Sequence, residues 1–200
     1  MPTTRTTTDL INAIVEESLR VKSRFFADNA ERLADVAEAI AHGFKTGKKV
    51  LLFGNGGSAA DAQHIAAEFM GRFIADRDPL PAISLATDTS ALTALGNDYG
   101  FDSVFSRQIK ALGQPGDTAI AISTSGNSPN ILQGIAAAKV KGMYVVGLTG
   151  ETGGKMKDAV EVLFCVPSRY TPRIQETHIM IGHIICELID RRIIPDKYRD

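Results

Sequence analysis

The sequence predicts an α/β protein: a doubly wound, five-stranded parallel sheet flanked by helices, with an N-terminal helical arm. Two observations carry this. From Lys49 onward, short apolar or β-branched runs alternate with stretches of helical period, and most of the runs are continuously apolar, as in strands covered on both faces. The first 47 residues have no such run, and their apolar positions recur at spacings of three and four.

In the arm, 1–47, the helical positions are Leu10, Ile11, Ile14, Val15 and Leu19, then Leu33, Val36, Ala37, Ile40 and Ala41. Two helices or one long bent one fit this pattern. Strands are expected at 50–53 (VLLF), 82–86 (AISLA), 118–122 (TAIAI), 144–148 (YVVGL) and 160–166 (VEVLFCV). Helices are expected at 58–73, 89–95, 101–112, 129–141, 155–159 and 172–193. The segment 77–81 (RDPLP) reads as a helix-to-strand turn, and no low-complexity linker interrupts the chain. Arm and sheet region, 48–200, are therefore expected to pack as one domain.

Composition narrows the function. The chain has 200 residues, with 22 Lys+Arg against 23 Asp+Glu and a formal net charge of −1. That size supports one core without disulfides or a structural metal. The charge balance argues against a nucleic-acid or polybasic membrane-surface partner, both of which call for a basic excess. Residues 1–10 lack the apolar segment of a signal peptide, and the longest apolar stretch, 179–189, is interrupted by His183 and Glu187. A soluble, cytoplasmic protein is expected. The two cysteines, Cys165 and Cys186, each lie in an apolar run, as buried reduced thiols do.

Two loops suit phosphate, with ordinary strand-to-helix turns the plainer alternative. Gly54-Asn55-Gly56-Gly57-Ser58 follows the first strand, and Ser123-Thr124-Ser125-Gly126-Asn127-Ser128 follows the third, each leading into a helix. Helix N-termini at the carboxyl ends of parallel strands point free N–H groups at a ligand, glycine admits close approach, and hydroxyls add donors. Pro129 suits the first helical position after the second loop. Neither loop contains Lys or Arg, so a monophosphate fits better than the polyphosphate of a P-loop. Gly54-x-Gly56-x-x-Ala59 also meets the loose dinucleotide pattern, but Asp88 lies well past the expected ribose-binding position.

On the helix after the first loop, Asp61, His64 and Glu68 share one face. His and Glu at i and i+4 can ligate one metal or serve acid/base chemistry; a solvated face with an ion pair is the plainer alternative. The last helix carries Gln175, His178 and His183 in an apolar setting. His183, apolar on both sides, is expected to be buried, which suits a hydrogen-bonded core histidine as well as a catalytic one. Gln175 and His183 are eight residues apart, about 12 Å along a helix, so one small ligand reaches both only if it is extended or a second subunit contributes.

With the segments GNGGSAADAQHIAAEF, TALGNDYGF, STSGNS, LTGETGGKM and TPRIQETHIMIGHI in order, the chain resembles the sugar isomerase (SIS) fold family. Within it the chain resembles the bacterial sedoheptulose 7-phosphate, or phosphoheptose, isomerases. The resemblance covers about 9–194. It implies a homotetramer of SIS-type sandwiches, one zinc ion per subunit, and conversion of sedoheptulose 7-phosphate into D-glycero-D-manno-heptose 7-phosphate, the first step toward nucleotide-activated heptose. It further implies phosphate binding by Ser123, Thr124, Ser125 and Ser128. Sugar contacts fall on Asn55, Gly56, Gly57, Ser58, Asn97 and Asp98, with Asp61 as an active-site acid and Glu68 and Gln175 also at the substrate. The implied metal ligands are His64, Glu68, Gln175 and His183, and the implied base and acid are Glu68 and His183. Non-catalytic SIS relatives, including binders of the replication initiator, keep the serine loop but tend to lose that pair.

Overall fold

The computed structural model describes residues 6–198. Helix α1 is one continuous helix, Thr7–Lys45, opened by a reciprocal cap. Thr6 Oγ1 accepts from the Asp9 amide at 3.1 Å, and the Asp9 carboxylate accepts from the Thr6 amide at 2.9 Å. The helix buries Phe25, Leu33, Val36, Ala37, Ile40 and Ala41, all in its C-terminal part, and leaves Leu10, Ile11, Ile14, Val15 and Leu19 exposed.

Five parallel strands follow: β1 Val50–Gly54, β2 Ala82–Ser84, β3 Thr118–Ile122, β4 Tyr144–Thr149 and β5 Val162–Cys165, in the order β2-β1-β3-β4-β5. The register sets Val50 against Ala82 on one side and Thr118 on the other, and Thr118 against Tyr144. The crossover helices are α2 Gly57–Met70, α3 Thr89–Tyr99, α4 Val104–Leu112 and α5 Pro129–Val140, and α6 Thr171–Ile193 closes the fold. Side chains of β1 alternate between two cores. Val50 and Leu52 face α1, α2 and α6, whereas Leu51 and Phe53 face α4 and α5.

Several boundaries differ from the expected ones. Strand β2 stops at Ser84, because its hydroxyl accepts from the Ala86 amide and its carbonyl from Thr87, folding the chain into a turn. Helix α2 ends at Met70, before Gly71. Helix α3 runs past Leu95 to Tyr99, where Gly100 at φ 81° stops it, and a short 3₁₀ turn, Phe101–Ser103, precedes α4. The helix expected at 155–159 is only a 3₁₀ turn, Gly154–Met156, entered through Gly153 and Gly154, both at positive φ. Among the described residues no helix is long and apolar enough to cross a membrane.

Candidate active site

Strand order reverses between β1 and β3, so the two glycine and serine loops lie side by side at the carboxyl edge of the sheet. Asn55 and Asn130 join them. The Asn55 amide donates to Asn130 Oδ1 at 2.9 Å, and the Asn130 amide donates to Asn55 Oδ1 at 2.8 Å. Asn130 is buried and its Oδ1 also accepts from the Ile131 amide, so it holds Asn55 in one orientation.

In the second loop, Ser123 and Ser128 hydroxyls lie 3.2 Å apart, and Ser125 Oγ accepts from the Asn127 amide at 3.2 Å. Gly126, at φ 65°, turns the backbone. A cavity of about 280 Å³ opens here, and Thr124, Ser125 and Asn127 share its lining with Gly150, Glu151 and Thr152. Arg169 also lines it, paired to Glu151 at 2.7 Å. Neither loop carries a cation, but the cavity has one. The β4 loop with Glu151 and Thr152 was legible only as a family segment; adjacency of β4 to β3 is the signal that would have found it.

A second cluster lies on the α2–α6 seam. These helices run alongside each other in the same direction. Gln175 stands against Gly57 at the start of α2, Ile65 against Gly182 farther down, and His64 against His183 at the same level. The Nε2 atoms of His64 and His183 are 2.9 Å apart, and Glu68 Oε1 lies 3.3 Å from His64 Nε2. One donor atom each from His64, Glu68 and His183 lie within 4.8 Å of one another. Two imidazoles and a carboxylate are the donor set of a three-ligand metal site with an open position, so these residues fit a divalent ion such as zinc. Asp61, one turn before His64, has a buried, unpartnered Oδ2, and burial pushes its carboxyl up to about 6.

The two clusters are separate within one chain: Ile174, which lines the cavity, is nine residues before His183 on α6, about 13 Å by helical rise. Gln175 is eight residues before His183 on the unbroken α6, about 12 Å away by helical rise, and its amide packs on Gly57 rather than joining the histidines. Asn97 and Asp98 hydrogen-bond each other at 2.8 Å on an exposed stretch of α3. Gly56 and Gly57 are exposed at the loop, and Ser58 is buried beneath it.

His183 is not the buried histidine that was expected. His178 is the fully buried one, its Nε2 lying 3.1 Å from the Thr149 carbonyl, and burial pushes its pKa down to about 4, so it is neutral. His183 is half-buried, with Phe73 packed near its ring at 5.6 Å between centroids. Five residues turn a helix by about 140°, so only one of the two faces the sheet. Of the cysteines, Cys186 is buried and Cys165 only partly so, and burial raises the Cys186 thiol well above its ordinary range.

The doubly wound sheet is that of an SIS domain, and the SIS domain family matches residues 15–150. Phosphoheptose isomerase from Aquifex aeolicus is 54% identical over 92% of this chain and 96% of its own length. The phosphoheptose isomerase structures from Neisseria gonorrhoeae and Francisella tularensis superpose with TM-scores of 0.85 and 0.90, at 46% and 37% identity. They cover 92% and 94% of this chain, and 99% and 100% of their own. The chain belongs to the phosphoheptose isomerase family and is an isomerase.

Proposed function

We propose that this protein interconverts sedoheptulose 7-phosphate and D-glycero-D-manno-heptose 7-phosphate in the cytoplasm. The observation that carries this is the cluster of Glu68 with His64 and His183, in the same chain as a hydroxyl-rich cavity. Aldose–ketose isomerisation moves a proton between adjacent carbons through an enediol, so it needs one base, one acid and a fixed substrate. Glu68 removes a proton from C1 of the ketose and returns it to C2 of the enediol. His183 passes protons to and from the two oxygens. The phosphate, held by Ser123, Thr124, Ser125 and Ser128, supplies binding energy that orients the distant carbons. Asn55, Gly56, Gly57, Asn97, Asp98 and the Gln175 amide hold sugar hydroxyls. Following aldose formation by NMR after adding sedoheptulose 7-phosphate tests the reading. Binding of the ketose without turnover would make the protein a phosphosugar sensor instead.

His64, Glu68 and His183 would hold zinc; Gln175, the fourth expected ligand, lies about 12 Å from His183 along α6 within one chain and would have to come from a second copy. A carboxylate on zinc is a poorer base, so Glu68 would not hold the ion and remove the proton at once. Zinc, when bound, supplies Lewis-acid polarisation of an oxygen. Protein purified without chelator is expected to contain about one equivalent of zinc per chain by plasma mass spectrometry. Zinc-free yet fully active protein would remove the ligand assignment.

The assembly we propose is a homotetramer. The exposed apolar residues of α1, among them Leu10, Ile14 and Leu19, supply a surface for a second copy. The separation of the phosphate cavity from the histidine cluster favours sites completed between copies. Light scattering on a sizing column is expected to give four times the 21.5 kDa chain mass. A monomer at micromolar concentration would rule this out.

A further inference from the structure

The turn at 77–81 contributes a side chain that the site description leaves unused. Arg77 and Asp190 form an ion pair at 2.6 Å, with side-chain exposures of 1% and 0%. Both terminal nitrogens of the guanidinium donate to backbone carbonyls. Nη2 donates to Glu68 O at 3.0 Å, and Nη1 to Phe69 O at 2.8 Å, with longer bonds to Asp78 and Gly71. Glu68 and Phe69 lie in the last turn of α2, whose carbonyls have no partner within the helix and whose dipole end is negative. A guanidinium meets both needs with a rigid fork. Asp190 lies seven residues beyond His183 on α6, two turns on and on nearly the same face. One side chain therefore ties the backbone of Glu68 to the helix that carries His183.

The apolar contacts of this seam, such as Ile65 on Gly182, resist separation but are non-directional. Stability alone does not account for the ion pair, since well-packed apolar residues of similar size generally serve as well, and Asp190 Oδ2 is left without a partner. We propose that Arg77 and Asp190 are positioning residues that fix the slide and rotation of α2 against α6, and so the placement of Glu68 relative to His183. This rests on the reading of Glu68 and His183 as the reacting pair.

The test uses the full chain with Arg77→Met and Asp190→Leu combined, which removes both charges together. The expected result is a melting temperature lower by several degrees, because helix-end carbonyls lose their donor, with unchanged KM for sedoheptulose 7-phosphate and kcat lower by about 10- to 100-fold, the range typical of supporting residues. Zinc affinity, measured by competition with a chromophoric chelator, is expected to weaken by a similar factor. Arg77→Lys keeps the charge but cannot span both carbonyls at once, and should lower kcat by several-fold at constant KM. It decides the matter if the double variant does not fold. Wild-type kcat in either folded variant overturns the positioning role. Glu68→Gln, run alongside, separates the two ideas. If it is inactive while the Arg77 variants are fully active, only the positioning role fails; if it turns over normally, the reacting pair and the positioning role both fail.

Discussion

Glu68→Gln is expected to lower kcat by about 10³-fold while leaving phosphosugar binding nearly intact, because a general base contributes roughly 10²- to 10⁴-fold. The amide preserves shape but cannot accept the proton. It also weakens the carboxylate's share in the cluster with His64 and His183, which adds to the loss. Isothermal titration with the ketose phosphate should give a Kd within a few-fold of wild type, since the phosphate loop is on other elements. Turnover near the wild-type rate would eliminate Glu68 as the base.

Gly126→Ala should damage binding as Glu68→Gln damages chemistry. The residue lies at φ 65°, a conformation costing an L-residue about 1–2 kcal/mol. A Cβ there would also run into the Gly153 carbonyl, and one on Gly154 into the Ser125 carbonyl. The serine loop and the loop after β4 thus touch backbone to backbone, reinforced by the Met156 amide donating to Gly126 O at 3.2 Å. Relief of the clash pushes the loops apart and moves the donors of Thr124 and Ser125. We expect KM to rise by about 100-fold or more, roughly the value of two hydrogen bonds to a charged group. The melting temperature should fall by about 4–8 °C, as about 2 kcal/mol does in a chain of this size. An unchanged KM would place the phosphate outside this loop.

What could be read in advance tracks how local the signal is. β3 was legible to the residue, and β1 and β4 from their first residues, because each is a continuous apolar run between turn signals. The end of α3 was not, since Gly96 looks like a breaker but sits where a Cβ would meet only Val104, and at 4.0 Å; Gly100, at positive φ, stops the helix. The Asp61-His64-Glu68 stripe follows from helical spacing alone. Which of His178 and His183 faces the sheet does not, because both have apolar neighbours and only tertiary packing chooses. Arg77 was equally hidden. A charged residue in a Pro-containing turn reads as solvated, and its burial depends on Asp190, 113 residues away.

The distance between the phosphate cavity and the histidine cluster has a genetic consequence. If each catalytic centre takes its phosphate loop from one copy and its Glu68 from another, every chain carries two half-sites that serve different centres. Glu68→Gln and Gly126→Ala then break different halves. Co-refolded from an equal mixture, two inactive proteins should regain about a quarter of wild-type activity, since random assembly pairs intact halves in one centre out of four.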